Sequence, residues 1–90
     1  MVTIREASPE DIEQVSAVLK QLDTEHYHLS DKHDILKFIK AGHSYVAEVD
    51  EQIVGVAEVE PVEGSWELYA LSVLLPGMGI GRALDRKSVV

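Results

Sequence analysis

Residues 68–84 read Leu-Tyr-Ala-Leu-Ser-Val-Leu-Leu-Pro-Gly-Met-Gly-Ile-Gly-Arg-Ala-Leu, and the fold prediction depends on this stretch. An apolar run typical of a strand leads to Pro76, glycines follow at positions 77, 79 and 81, and a helix is predicted over residues 79–87. The N–H groups in the first turn of a helix have no partner within the helix, and they lie at the positive end of its dipole. Glycines let the backbone approach a ligand closely. The stretch therefore predicts a binding site for a phosphorylated ligand.

The spacing of the three glycines excludes two common phosphate-binding loops. The dinucleotide fingerprint Gly-x-Gly-x-x-Gly requires glycine at position 82, where Arg82 stands. The Walker loop requires Gly-Lys-Ser/Thr, which does not follow. What remains is an anion-binding helix start with Arg82 in its first turn.

The composition is that of an acidic globular domain. Ninety residues predict a single domain, and 8 basic against 16 acidic residues give a net charge of −8. An acidic surface repels phosphate groups, so neither a nucleic acid nor a membrane is expected as a partner. The chain has no cysteine, which excludes disulfides and thiolate chemistry. The first residues lack a signal pattern, so residence in the cytoplasm is expected.

The remaining sequence predicts the element order β-α-α-β-β-β-α. Ser8 and Pro9 predict one helix start, and Ser30 or Asp31 a second. Strands are predicted over residues 2–6, 44–49, 53–60 and 66–75, with polar turns at 50–52 and 61–64. This order predicts an α+β fold, in which a mainly antiparallel sheet of about four strands is packed by helices.

Three segments together resemble the GNAT acetyltransferase superfamily. Residues 45–59, Tyr-Val-Ala-Glu-Val-Asp-Glu-Gln-Ile-Val-Gly-Val-Ala-Glu-Val, are similar to its second and third strands, and residues 68–84 to its acetyl-CoA motif. Residues 3–11 are similar to its first strand and helix start. The family continues with a further strand, helix and hairpin that nothing here matches. The resemblance therefore implies an incomplete GNAT-like fold over residues 1–90, truncated just after the acetyl-CoA motif.

The resemblance also implies a site for acetyl-CoA as co-substrate, with no metal. In the family, backbone groups at positions matching Leu71, Ser72 and Val73 hydrogen-bond the pantetheine arm and the acetyl group. The backbone N–H of Val73 is the candidate to stabilise the oxyanion. The pyrophosphate is expected on the N–H groups of Gly77, Met78, Gly79, Ile80, Gly81 and Arg82.

Glu67 is the first candidate for the general base. It lies six residues before Val73, and this even spacing along a strand predicts that the two side chains share a face. A solvent-facing acid without function remains the open alternative, and Glu58 and Glu60 are weaker candidates for the base. Tyr69 is predicted either to line the site or to pack.

The histidines do not have the spacing of a metal site. His26, His28, His33 and His43 lack the i, i+4 placement of helical ligands, and no cysteine joins them. They are predicted to be surface residues. By the resemblance, residues 26–28 lie in the region that shapes the acceptor pocket.

Two functions follow from the resemblance. The first is acetyl-CoA-dependent transfer of an acetyl group to a primary amine of a small molecule or peptide. The alternative is a catalytically inactive fragment that at most dimerises or binds a partner. In that fragment the strand at 66–75 has an open apolar edge, which predicts a homodimer through it.

Overall fold

A computed structural model of the chain describes residues 2–74 and 79–88. Its strands and helices follow the predicted order. Their bounds are β1 Thr3–Glu6, α1 Ile12–Leu19, α2 Lys32–Lys40, β2 Ser44–Val49, β3 Gln52–Val62, β4 Ser65–Val73 and α3 Ile80–Ser88. The strands form one antiparallel sheet in the order β1-β2-β3-β4. The predicted fold class is confirmed.

The two N-terminal helices begin at side chains that the sequence identifies. A 3₁₀ turn at Pro9–Asp11 leads into α1. There the carboxylate of Asp11 accepts hydrogen bonds from the N–H (2.8 Å) and the Oγ (3.2 Å) of Ser8. Asp31 is the residue that caps α2, because its carboxylate accepts from the N–H groups of His33 and Asp34. The Asp31 cap satisfies two N–H groups that a helix start leaves without partners, whereas the side chain of Ser8 caps none.

Arg5 joins β1 to the rest of the fold. Its guanidinium donates two hydrogen bonds to Asp11, at 2.8 and 3.0 Å, and one to Glu48 on β2 at 2.6 Å. These contacts hold the pKa of the Asp11 carboxyl below its ordinary value. The ion pairs therefore join the first helix start and β2 to β1.

Both hairpins turn through two residues with positive φ. The first has φ of 50° at Asp50 and 65° at Glu51, and the second has 45° at Glu63 and 86° at Gly64. This is the conformation of a type I′ turn, whose twist matches that of the paired strands. The second turn is shorter than predicted, so β3 runs on to Val62 and includes Pro61.

Helices cover both faces of the sheet. On one face, α1 and α2 pack on β2, β3 and β4 through a buried core of Ala7, Val15, Val18, Leu19, Ile35, Ile39, Val46, Ile53, Val56 and Ala70. On the other face, α3 packs through Ile80 and Leu84 on Ala47, Val54 and Ala57. A Cβ added to Gly55 would lie 2.9 Å from both α3 side chains, so the helix lies directly on β3 there.

Candidate functional site

The outer edge of β4 carries backbone groups that no other strand of the described residues uses. The N–H of Leu74 donates to the carbonyl of Val54 on β3 at 2.7 Å. In an antiparallel pair, hydrogen-bonded and non-bonded positions alternate. The register therefore directs the backbone of Ser72 toward β3, and the N–H and C=O groups of Leu71 and Val73 toward the open edge.

The start of α3 lies beside this edge. Gly79 has φ of +73°, and its carbonyl accepts the N–H of Ala83 at 3.0 Å. The N–H groups at positions 80–82 are then the first-turn donors, which have no acceptor within the helix. A Cβ on Gly81 would lie 3.6 Å from Val73 and 3.7 Å from Leu71. The structure thus brings the predicted pantetheine and pyrophosphate segments together.

The residues predicted to bind the pyrophosphate differ in the exposure of their side chains. Gly77 and Met78 lie outside the described residues. Ile80 has its side chain buried against the sheet, so only its backbone is available, whereas the side chain of Arg82 is exposed. Arg82 is therefore the charged side chain that the described part of the loop offers to an anion.

The side chain of Ser72 is buried and hydrogen-bonded within the protein. Its hydroxyl donates to the carbonyl of Val18 at 2.9 Å and accepts from Gln21 at 3.0 Å. With its backbone directed to β3, Ser72 connects α1 to the sheet. The open edge is thus formed by Leu71 and Val73.

Glu67 and Val73 do not share a face, and the prediction from their even spacing is wrong. Glu58 pairs with Ala70 while Val59 pairs with Leu68, so Tyr69 is an extra residue of β4 and forms a β-bulge. This one-residue insertion reverses the alternation. Val73 packs with the core under α3, whereas Glu67 is exposed and lies opposite Glu60.

A cavity of about 340 Å³ lies on the α2 side of this bulge. It is bounded by the segment before α2, by α2 and by strands β3 and β4, and is lined by His26, Tyr27, His28, Leu29, Asp34, Ile35, Lys37, Phe38, Glu58 and Tyr69. The rings of Phe38 and Tyr69 are 5.1 Å apart. Residues 26–28, which the sequence predicts near the acceptor, are therefore part of the wall of this cavity.

Glu58, a weaker candidate for the base on sequence grounds, forms part of the wall of this cavity. Its side chain is only 2% exposed, and burial, with a smaller effect of Asp34, raises the pKa of its carboxyl to about 7. No hydrogen-bond donor among the described residues reaches its Oε2 atom. The available signal was its position two residues after Val56 on β3, which places it on the same face as a buried apolar side chain.

The described residues contain no group of three or more His, Asp or Glu side chains placed to hold a metal ion. His43 stacks edge-on against Trp66, with ring centroids 4.8 Å apart. In residues 2–74 and 79–88, no helix is long and apolar enough to cross a membrane.

Solved structures identify the architecture. The PaiA N-acetyltransferase of Thermoplasma acidophilum, in complex with coenzyme A, superposes with a TM-score of 0.81 at 20% identity, over 97% of this chain and 69% of that one. The aminoglycoside N-acetyltransferase AAC(6′)-Iy, in complex with CoA, gives 0.80 at 22% identity, over 98% and 66%. The chain has the GNAT fold. Ard1 of Thermoplasma volcanium is similar to this GNAT fold at 28% identity, with a TM-score of 0.78 over 94% and 60%.

The similarity is one of structure. No protein-family model matches the sequence, and no curated protein does. The chain spans between 60% and 69% of the length of these three GNAT structures, so each has a part that the 90 residues do not match.

Proposed function

We propose that the chain binds acetyl-CoA at the open edge of β4 and the start of α3, and that it transfers the acetyl group to a primary amine of a small molecule or peptide. The observation that carries this is that a Cβ on Gly81 would lie within 3.7 Å of the side chains of Leu71 and Val73. The start of α3 therefore lies beside the strand whose N–H and C=O groups face the open edge. Acetyl-CoA supplies the activated thioester.

Each part of the site has a role in this proposal. The backbones of Leu71 and Val73 hold the pantetheine arm, and the N–H of Val73 stabilises the oxyanion. The N–H groups at the start of α3 and the side chain of Arg82 hold the pyrophosphate. The relatives support this chemistry, because two were solved with CoA and one is an aminoglycoside N-acetyltransferase. Contacts from Gly77 and Met78, and Glu67 as the base, stay predictions.

The test compares acetyl-CoA with S-acetylpantetheine, which lacks the pyrophosphate, by isothermal titration. Arg82→Glu reverses a charge beside the pyrophosphate and is expected to weaken acetyl-CoA binding by about tenfold. It should leave binding of S-acetylpantetheine unchanged, since that ligand does not reach the helix start.

Arg86→Glu is the matched control, because Arg86 is exposed on the same helix one turn further on. It should leave acetyl-CoA binding near the wild-type value. If the wild-type chain does not bind acetyl-CoA at millimolar concentration, the proposal fails and the chain keeps the GNAT fold without its activity.

We also propose that two copies of the chain pair through the β4 edge when acetyl-CoA does not occupy it. Four large apolar side chains near this edge are exposed by 38–47%, namely Trp66, Leu68, Tyr69 and Leu74. Residence in the cytoplasm stays a prediction.

A further inference from the structure

Glu58 lies where a carboxyl group has no obvious structural purpose. It is 2% exposed, forms part of the cavity wall and makes no ion pair with any described residue. A buried polar group without a hydrogen bond is costly to the folded state. A group retained under that cost is a candidate for binding or catalysis.

Ser44 adds a second unsatisfied oxygen next to Glu58. The two residues are directly opposite each other on β2 and β3, and such pairs share a face with Cβ atoms about 5 Å apart. The Oγ of Ser44 is buried and, like Oε2 of Glu58, has no partner in the described part of the chain. The two oxygens do not hydrogen-bond each other, so the structure leaves both of them without a described partner.

The cavity wall combines apolar, acidic and basic groups. Phe38 and Tyr69 supply adjoining rings, and Ile35 lies buried beside them. The charged or titratable groups that face Glu58 are Asp34 and Lys37 from α2, His26, Tyr27 and His28 from the preceding segment, and Tyr69 from β4. The buried charge is thus the carboxyl of Glu58, while Lys37 and Asp34 are exposed.

We propose that this cavity binds the acceptor as a primary ammonium carried on an aromatic or similarly apolar group, and that Glu58, rather than Glu67, takes up its proton. The proposal rests on the proposed acetyl transfer and names its acceptor class and base. A primary ammonium matches the cavity because it offers three donors and a positive charge to an unpaired carboxylate. The bulge at Tyr69 turns a ring toward the α2 side, where the apolar part of the acceptor packs.

The chemical step balances with Glu58 as the base. The ammonium gives one proton to the Glu58 carboxylate, which frees the nitrogen lone pair. Nitrogen bonds to the acetyl carbon, and the carbonyl π electrons move to oxygen to form the oxyanion. When these electrons return, the C–S bond breaks, and sulfur leaves with the bonding electrons and takes the second nitrogen proton. The products are an amide, the free thiol of CoA and protonated Glu58, which returns its proton to solvent. A carboxyl with a pKa near 7 is suited to this exchange.

The first measurement needs no acetyl-CoA. Phenethylamine is titrated into the chain while the NMR signals of Phe38 and Tyr69 are followed, with phenethyl alcohol as the neutral match. We expect Glu58→Gln to weaken phenethylamine binding by about tenfold or more and to leave phenethyl alcohol unaffected. Glu63→Gln, in the exposed β3–β4 turn, is the control and should bind both as the wild type does.

A second arm uses the wild-type chain alone. Phenethylamine stays charged below pH 9, so its affinity should fall as the pH drops below about 7 and Glu58 becomes protonated. A wild-type chain that does not bind phenethylamine at 10 mM (on the order of the weakest affinity measurable this way), or that binds it equally at pH 5 and pH 8, overturns the proposal.

Acetylation of phenethylamine then tests the role of Glu58 as base. Glu58→Gln should lower kcat/KM by about a hundredfold or more and remove its dependence on a group of pKa near 7, with the Kd for acetyl-CoA unchanged. If Glu67→Gln removes that dependence and Glu58→Gln keeps it, the proposal is wrong. Phenethylamine binding that requires Glu58, in a chain that does not bind acetyl-CoA, would refute the acetyl transfer and leave the ammonium site standing.

Discussion

At the scale of single residues, folding and the proposed chemistry favour opposite protonation states of Glu58. Folding buries its carboxyl, which disfavours the ionised form and raises the pKa from 4.5 to about 7. A general base must be ionised to accept a proton. The residue therefore lowers the stability of the folded chain in the pH range where the proposed reaction runs.

This conflict predicts how stability changes with pH. Because the folded pKa lies above the unfolded one, the folded state holds its proton more tightly, and stability falls as the pH rises from 4.5 to about 7. A shift of this size corresponds to about 3 kcal/mol, which is lost above pH 7. Glu58→Gln does not ionise, so its stability relative to the wild type should increase by about that amount between pH 4.5 and pH 8.

Urea unfolding of both chains at several pH values measures the difference. Glu63→Gln is the control, since an exposed acid should give nearly the same difference at each pH. A Glu58→Gln effect that does not change between pH 4.5 and pH 8 would show that folding does not perturb this carboxyl.

At the scale of elements, the bulge in β4 separates two environments along one strand. Before Tyr69, Glu67 lies opposite Glu60 on the α2 side, and after it Leu71 and Val73 pack under α3. The strand thus contributes a ring to the cavity and backbone groups to the acetyl-CoA edge. The bulge connects the two halves of the proposed site.

The packing of α3 on β3 predicts a coupled loss of stability and ligand binding. Gly55→Ala introduces a Cβ that would be 2.9 Å from Ile80 and Leu84, so α3 must move. Overpacking of this kind destabilises by about 1–3 kcal/mol. Since the start of α3 carries the proposed pyrophosphate site, acetyl-CoA binding should weaken as well.

Gly64→Ala is the matched substitution for Gly55→Ala. No atom of the described residues lies within 4 Å of a Cβ added at position 64. The φ of +86° there is unfavourable for alanine and predicts strain of about 1 kcal/mol. Urea midpoints and acetyl-CoA titration compare the two chains. The packing argument fails if Gly55→Ala costs no more stability than Gly64→Ala and leaves acetyl-CoA binding intact.

At the scale of the whole molecule, the proposed acetyl-CoA site and the proposed dimer contact use the same edge of the sheet. An unpaired strand edge with exposed apolar side chains invites pairing with another chain. The net charge of −8 opposes this association, and more strongly at low salt. Binding of acetyl-CoA and pairing of two copies should therefore exclude each other.

Light scattering tests this competition. We expect dimers at high protein concentration in moderate salt, and monomers when saturating acetyl-CoA is added. Leu68→Lys places a charge on the edge strand and should give monomers without the ligand. Thr3→Lys adds the same charge at an exposed position of β1, at the opposite edge of the sheet, and is the control. A wild-type chain that is monomeric at high concentration would count against edge pairing.

The sequence by itself determined the element order, the helix starts near Ser8 and Asp31, and the antiparallel sheet, because these depend on local periodicity, capping and short turns. It also pointed to Leu71, Val73 and the glycines at positions 77, 79 and 81. Only the tertiary structure decided the face of Glu67, the cavity between α2 and the sheet, and the burial of Glu58. Those features depend on a one-residue bulge and on packing between segments distant in the chain, which the local sequence pattern does not specify.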